Sequence, residues 1–277
     1  MTIDILSDLH LDFYFLTENL VDVELVRSIF DPIFLVNQRE VGDVLVIAGD
    51  IGHYNHQNIQ VLKIFQTLYY KHIVCVLGNH DYYLIDYSVQ KEYHKNSFNR
   101  VEEMREMINK ERNIYCLNGD VVEIDGVRFG GCDSSYNDAY LKKYFYGSFF
   151  INKNKVWKNN INDYHYIYNL KHYDTLYKLE LPKIKAVYKK CDIMVTHVNP
   201  SYLHKHLPLT YKNNQSNMFF TFDGHKFMKD GVMKYWIFGH THTVLEYEYN
   251  GVKSICNPLG YPNEHKPSIK SINFTRE

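Results

Sequence analysis

Five short apolar runs, each directly followed by residues that can bind a metal, constrain the fold of this 277-residue chain more than any other feature. Each run is rich in β-branched residues and has the length of a buried strand. The runs are residues 3–6, 44–48, 73–77, 193–196 and 235–238. In an open α/β sheet, ligands bind beyond the carboxyl ends of the strands, so we expect the polar residues after the runs to meet there.

The polar residues after these runs combine carboxylates, an amide and imidazoles. This mixed donor set suits a pair of borderline divalent cations, such as manganese, iron or zinc, better than calcium, which prefers oxygen donors alone. A single D-x-H triplet or a lone histidine is common in proteins, so the ordered series is the informative pattern. The candidate metal ligands are Asp8, His10, Asp50, Asn79, His197, His240 and His242.

In its order, this series resembles the motifs of calcineurin-like metallophosphoesterases: D-x-H, GD, GNH[DE], H and GH-x-H. The motifs run from residue 8 to residue 242, and the NPLGYP segment at 257–262 extends the resemblance to nearly the whole chain. The resemblance implies an α/β fold, a four-layer α/β/β/α sandwich. The chain is also long enough to bury a large core, which favours a single domain over residues 1–277.

The resemblance further implies a centre of two divalent metal ions, with Asp50 as the bridge between them. We expect Mn²⁺, with Fe, Zn, Mg or Ni as alternatives. A hydroxide held between the ions would attack phosphorus, because a metal lowers the pKa of bound water from 15.7 to about 7. The first ion would be bound by Asp8, His10, Asp50 and His242. The second ion would be bound by Asp50, Asn79, His197 and His240.

The segment around the ligand Asn79 also contains the candidate catalytic residues. We expect His80 to act as the general acid, because it is not a ligand and its ordinary pKa of about 6.5 lies near working pH. Purely electrostatic stabilisation of the phosphate is the alternative. Asp81 is expected to orient an imidazole by accepting its second ring N–H, or else to cap a helix.

Asn79 and His53 are the candidate substrate-binding residues. His53 stands where the phosphoprotein phosphatase branch carries the acid of a GD-x-x-DRG run, and this departure argues against a serine/threonine phosphatase. Phosphate contacts are then expected from the metals, His53 or a cap over the site. Asp133, which follows two glycines, could face the site or cap an insertion.

The overall charge and hydropathy limit the classes of partner. A net charge of −1 gives no general attraction to nucleic acid or to anionic lipid. No apolar run approaches the roughly 18 residues of a membrane span, and the chain begins with a strand rather than a signal segment. We therefore expect a cytoplasmic protein without a membrane partner, whose five scattered cysteines are reduced core thiols.

Alternating helices and strands are expected in the first half, with helices near residues 20–30, 57–70 and 97–110. Asp125-Gly126 and Asn250-Gly251 each lie between apolar runs and predict tight hairpin turns. Residues 136–190 depart from this pattern: they contain 11 Lys and 4 acids, for a local charge of +7, and 10 of the 25 tyrosines. We interpret this segment as a helical cap insertion with a solvated face. A lid whose lysines face phosphates and whose rings stack on bases is the alternative.

These features favour a dinuclear-metal-dependent hydrolase that cleaves phosphomonoester or phosphodiester bonds in a small-molecule or nucleotide substrate. A DNA or RNA nuclease of the same fold is the alternative, which only the basic insertion supports. A non-catalytic scaffold is the second alternative, although every expected ligand position is filled. Substrate identity and oligomeric state are left open.

Overall fold

The computed structural model describes residues 1–15, 21–208, 213–264 and 268–275. Across these residues the strands are β1 (Thr2–Leu6), β2 (Val44–Ala48), β3 (His72–Val76), β4 (Ile114–Cys116), β5 (Asp120–Ile124), β6 (Val127–Gly131), β7 (Ile193–Val195), β8 (Tyr235–Phe238), β9 (Leu245–Tyr249), β10 (Val252–Cys256) and β11 (Lys270–Asn273). The α-helices are α1 (Val23–Phe34), α2 (Asn55–Leu68), α3 (Tyr87–Glu92), α4 (Ser97–Asn109), α5 (Ala139–Tyr144), α6 (Lys153–Asn160), α7 (Asp163–Tyr166), α8 (Thr175–Val187) and α9 (His225–Asp230).

The strands form two sheets, ordered β11-β1-β2-β3-β4 and β5-β6-β7-β8-β10-β9. In the first sheet β1 to β4 run parallel, and β11 pairs antiparallel with β1. In the second sheet β6, β7, β8 and β10 run parallel between the antiparallel edge strands β5 and β9. Both predicted hairpins are confirmed, as β5–β6 and β9–β10. The five predicted strands are divided between the sheets, three in the first and two in the second.

Alternation of side chains along the strands produces the layers. Val46 of β2 packs against Ile237 of β8 in the core between the two sheets. Its neighbour Leu45 points the other way and packs with Phe65 of α2 in the core under the helices of the first sheet. Trp236, on the far side of the second sheet, packs with Ile184 of α8. The predicted four-layer α/β/β/α sandwich is confirmed.

Residues 136–190 are largely helical, as predicted. They contribute both to the outer helical layer and to the wall of a cavity. Helix α8 contacts β5 and β6 and buries Val187 in the core on the outer face of the second sheet. It is therefore part of the outer helical layer. Helices α5, α6 and α7 precede it, and residues 160–163 reach the cavity described below.

Side-chain caps mark the starts of α1, α3, α4 and α6. The side chain of Asp22 accepts a hydrogen bond from the backbone amide of Glu24, which caps α1 at Val23. The predicted start of this helix at Leu20 lies outside the described residues, and the helix extends past Pro32 to Phe34. All five cysteines lie in the described part of the chain and are buried free thiols, as expected. No described helix is both long and apolar enough to span a bilayer.

Candidate metal centre

The turns after β1, β2, β3, β7 and β8 meet where the carboxyl ends of the two sheets come together, and they carry the predicted ligands. Two groups of side chains have ligand atoms within 4.8 Å of one another, and Asp50 belongs to both. The first group is Asp8, His10, Asp50 and His242. The second group is Asp50, His197 and His240. The structure therefore brings together residues that are up to 234 positions apart (242 − 8) in the chain.

Most of these side chains project from an unusual backbone conformation. Non-glycine residues rarely adopt a positive φ, and holding one there costs of the order of 1–3 kcal/mol. Such strain persists only where surrounding contacts over-determine it. The positive-φ candidate ligands are Asp8 (51°), His10 (44°), Asp50 (54°), His240 (69°) and His242 (46°).

Two glycines leave the room that the carboxylate and imidazole need. A Cβ atom on Gly78 would lie 2.2 Å from Asp50 Oδ1, closer than any real contact. A Cβ atom on Gly49 would lie 2.5 Å from His197 Nδ1, and Gly49 also has a φ of +86°. The glycines of the GD and GNHD motifs are thus both required by close approach, and Gly49 also by its backbone conformation.

Three of the four histidines have one ring nitrogen bonded to an acceptor outside the cluster. A carbonyl or carboxylate oxygen can only accept, so that nitrogen carries the proton and the other nitrogen presents its lone pair to the cluster. The three contacts are His197 Nδ1 to Ala48 O at 2.8 Å, His240 Nε2 to Phe219 O at 2.9 Å, and His242 Nδ1 to Glu264 Oε2 at 2.8 Å.

Within the cluster, atoms that accept hydrogen bonds face one another. His10 Nε2 lies 2.9 Å from His242 Nε2, and His240 Nδ1 lies 3.2 Å from His197 Nε2. His197 Nε2 is also 3.3 Å from Asp50 Oδ2. Lone pairs at these separations need a proton or a cation between them, so the donor set fits divalent cations.

Burial and the nearby carboxylates together determine the pKa values of the histidines in the cluster. Burial lowers the pKa of His10 to about 4, and its Nδ1 atom has no hydrogen-bond partner among the described residues. Burial alone would also lower the pKa of His197, but the adjacent Asp50 carboxylate raises it to about 10. Without a cation, a proton therefore occupies the space between His197 and Asp50, and a bound cation would displace it.

His80 lies beside this cluster in a chain of three hydrogen-bonded side chains. Its Nδ1 atom is 3.0 Å from His53 Nε2, and His53 Nδ1 is 2.8 Å from Asp12 Oδ2. The backbone amide of His80 donates to Asp50 Oδ1 at 2.8 Å. Burial lowers the pKa of His80 well below its ordinary value, and the Asp50 charge opposes this shift only in part.

The structure changes the expected roles of two residues. His53 lies behind His80, to which it is hydrogen bonded, and it is not among the described residues lining the cavity. We expected Asp81 to orient an imidazole or to cap a helix. Among the described residues its carboxylate instead accepts hydrogen bonds from the backbone amides of Ile51, Gly52 and Gly78. Asp81 thereby joins the turns after β2 and β3.

Asp133 is not among the described residues that line the cavity. Its carboxylate accepts hydrogen bonds from the backbone amide of Leu77 at 2.9 Å and from the Tyr82 hydroxyl at 2.8 Å. It also forms a buried ion pair with Arg105 at 2.5 Å. These contacts hold the end of β3 in place, which is a structural role.

A cavity of about 290 Å³ opens above the cluster, with Asp50, Asn79 and His80 among the residues lining it. Three features that sequence reasoning missed contribute to the site: Asp12 behind His53, Glu264 behind His242, and Asp163 beside Asn79. Asp12 and Glu264 each lie two residues past a recognised motif, and Asp163 lies in the insertion, so none of the three occupies a motif position that could have singled it out. The remaining wall is formed by Tyr83, Asn160, Ile161, Asn162, Asp163, Phe219, Phe220, His240, Thr241, His242, Tyr261 and Glu264.

Comparison with known proteins supplies independent findings. A family model for calcineurin-like phosphoesterases matches residues 1–244. An uncharacterised protein, L509, of Acanthamoeba polyphaga mimivirus is 27% identical over 282 residues, which cover 93% of this chain and 90% of the relative. A phosphopantetheinyl hydrolase from Mycobacterium tuberculosis superposes with a TM-score of 0.66 at 13% identity, covering 98% of this chain and 95% of that chain. At that identity the structural likeness shows a shared fold alone.

Proposed function

Because this chain belongs to the calcineurin-like phosphoesterase family, we propose that it is a hydrolase that uses two divalent cations to cleave phosphate esters of small molecules or nucleotides. The observation that carries this proposal is the pair of ligand groups sharing Asp50 beneath a cavity that His80 also lines. When bound, the two cations would supply Lewis-acid polarisation of the phosphoryl oxygens and lower the pKa of water towards about 7.

The ligand assignment follows from which atoms face the cluster. Asp50 has two carboxylate oxygens and can serve both ions, whereas an imidazole has one free lone pair. Asn79 Oδ1 lies 3.0 Å from His197 Nε2, which supports its place in the second group. Oxygen and nitrogen donors of this kind favour Mn²⁺, with Fe, Zn, Mg or Ni as alternatives. The first ion would take Asp8, His10, Asp50 and His242, and the second Asp50, Asn79, His197 and His240.

We assign His80 as the residue that gives a proton to the leaving-group oxygen. Asp12 can only accept from His53 Nδ1, so His53 Nε2 carries a lone pair and accepts from His80 Nδ1. The Nε2 atom of His80 is then the one that can transfer a proton. Burial lowers the pKa of His80, and a phosphate dianion in the cavity would oppose that shift, so binding of substrate would favour the protonated ring.

The cavity favours a small ester as substrate. Its volume of about 290 Å³ is at the lower end of ordinary small-molecule sites. The rings of Phe220 and Tyr261 and the amide of Asn160 form part of its wall, which suits a compact group attached to the phosphate. Cleavage of nucleic acid would require a strand to enter the same space.

The test uses purified protein stripped of metal by a chelator and reloaded with Mn²⁺. p-Nitrophenyl phosphate and bis(p-nitrophenyl) phosphate distinguish a monoesterase from a diesterase, and a panel of cyclic and linear nucleotides follows. We expect metal-dependent turnover of at least one of these esters, absent in Asp50→Asn. Protein that holds two metals per chain and hydrolyses none of them would overturn the proposal. Cleavage of oligonucleotides alone would favour a nuclease instead.

A further inference from the structure

The amide of Asn79 has a defined orientation at the metal centre. Its Oδ1 atom faces His197 Nε2 at 3.0 Å, while its Nδ2 atom donates to Asp163 Oδ1 at 2.9 Å and to the Tyr83 hydroxyl at 3.1 Å. Only the oxygen of an amide can bind a cation. Whatever holds the nitrogen away from the cluster therefore decides whether Asn79 is a ligand.

Of the two partners, Asp163 is the one that can fix this orientation. A hydroxyl can donate or accept, so Tyr83 alone would tolerate either orientation of the amide. A carboxylate only accepts, and it would repel the amide oxygen. The only proton of the Tyr83 hydroxyl is moreover already donated to Asp163 Oδ1, at 2.6 Å.

Asp163 is itself held firmly. It is 1% exposed and lies at the start of α7, 84 residues beyond Asn79 in the chain. Its second oxygen, Oδ2, accepts from the Tyr136 hydroxyl at 2.7 Å. That hydroxyl in turn accepts from Trp157 Nε1 at 2.9 Å. Both oxygens of a buried carboxylate are thus engaged, by donors from the body of the fold and from the insertion.

We propose that Asp163 is a positioning residue of the second cation site: it holds the Asn79 amide with its oxygen towards His197 and Asp50, so that residues 136–190 complete the metal centre. This inference rests on the proposed two-cation function. Loss of the carboxylate would free the amide to rotate and place N–H groups where a cation needs an oxygen. Partners of metal ligands typically contribute 10-fold to 100-fold to metal affinity.

Calorimetric titration of Mn²⁺ into metal-free protein tests the inference without measuring activity. We expect two ions per chain in the wild type. In Asp163→Ala the first ion, held by Asp8, His10 and His242, should bind as in the wild type, and the second should bind about 10-fold to 100-fold more weakly. Asp163→Leu, which fills the space without offering an oxygen, should behave in the same way.

Two variants separate positioning from a merely structural role. Asp163→Asn keeps an oxygen that can accept from Asn79 but adds an NH2 group that can face it instead, so it should recover part of the affinity that Asp163→Ala loses for the second ion. Tyr136→Phe removes the bond to Asp163 Oδ2 and leaves the contact to Asn79, so it should bind both ions nearly as the wild type does. Thermal unfolding in chelator identifies which variants are folded.

The outcomes distinguish the inference from the function on which it rests. A wild-type protein that binds no pair of ions contradicts the proposed function. If the wild type binds two ions and Asp163→Ala or Asp163→Leu binds both with unchanged affinity, only the role of Asp163 is wrong. A second ion weakened in Tyr136→Phe as much as in Asp163→Ala would also overturn that role, because Tyr136→Phe retains the carboxylate that accepts from Asn79.

Discussion

Two aspartates are buried in and just past strand β1, and their charges are compensated in opposite ways. In the middle of the strand, Asp4 is fully buried and accepts from Arg39 at 2.8 Å, from the Tyr70 hydroxyl at 2.9 Å and from the Ser271 hydroxyl at 2.6 Å. Just beyond the carboxyl end, Asp8 is equally buried.

Asp8 has no comparable cation beside it within the described residues. It accepts from the Ser7 hydroxyl at 2.5 Å and from the backbone amide of His240 at 2.8 Å, and the imidazole of His242 lies 3.7 Å away with its Nε2 atom towards the carboxylate. The backbone is regular at Asp4 and has a positive φ at Asp8. The protein thus provides its own cation for Asp4 and surrounds Asp8 with unshared lone pairs, which is how a structural carboxylate differs from a proposed metal ligand.

The largest effect that follows from this contrast is expected from Asp50→Asn. The change removes an oxygen ligand common to both ions, so we expect hydrolysis at the level of protein-free buffer. Ligand binding also stabilises the folded state, by about 2.7 kcal/mol at 100 times the dissociation constant. Manganese should therefore raise the Tm of the wild type but not that of Asp50→Asn, with Asp4→Asn as the control that keeps the response. An unchanged response in Asp50→Asn would contradict the shared-ligand arrangement.

The next effect is expected from His80→Ala, which leaves every proposed ligand in place. Loss of a proton donor typically costs 10²-fold to 10⁴-fold in rate, and most of all when the leaving group is a poor one. We expect kcat for an alkyl phosphate to fall by at least about 10²-fold while p-nitrophenyl phosphate is affected less. Metal analysis should still find two ions per chain. A metal-free variant, or equal losses for both leaving groups, would show that His80 is not the acid.

A smaller effect, on stability rather than on catalysis, is expected from Asp4→Asn. Removing one partner of a buried ion pair leaves the other charge uncompensated and costs about 3 kcal/mol at the lower end of measured cases, appropriate here because Arg39 is partly exposed. Urea unfolding should show this loss with an unchanged m-value. Turnover per folded molecule and metal content should equal those of the wild type. A specific loss of metal would mean that the Asp4 ion pair and the ligand cluster at Asp8 are coupled.

The same contrast explains how much could be inferred from the sequence. Each candidate ligand follows a strand at a short, regular distance, so the apolar pattern and the polar residue after it could be found together, as for Asp50 after β2. Asp4 is a charged residue inside an apolar strand, and no arginine or lysine lies near it in the sequence. Its partner Arg39 is 35 residues away. Long-range pairs of this kind leave no local signal.

The outer contacts of the site were unpredictable for the same reason. Asp12, Asp163 and Glu264 contact histidines or Asn79 from a 3-10 helix, a helix start and a turn, respectively. Helix α8 was included in the predicted insertion because its lysines continue the basic composition, yet its buried face packs on the second sheet. The lysine content of α8 reflects its solvated face, whereas its buried face determines which layer of the fold the helix joins.

The smallest effect concerns a buried histidine outside the ligand cluster. Burial, with the charges of Lys205 and His225, lowers the pKa of His206 to about 4. Its Nδ1 atom lies 2.8 Å from Ser201 Oγ, and its ring stacks on Tyr247 at 4.0 Å. An unfolded chain has a histidine pKa near 6.5, so between these values the unfolded state binds more protons than the folded state.

Stability should therefore fall as pH decreases from about 6.5 towards 4, and the contribution of His206 should reach about 2 kcal/mol at pH 5. His206→Gln removes this titration and keeps a side chain that can hydrogen bond. Urea unfolding of both proteins in chelator, from pH 8 to pH 5, gives the difference, because the remaining histidines titrate alike in both. We expect the gap between wild type and variant to narrow at low pH. A constant gap would show that His206 is solvated in the folded state and does not titrate with a lowered pKa.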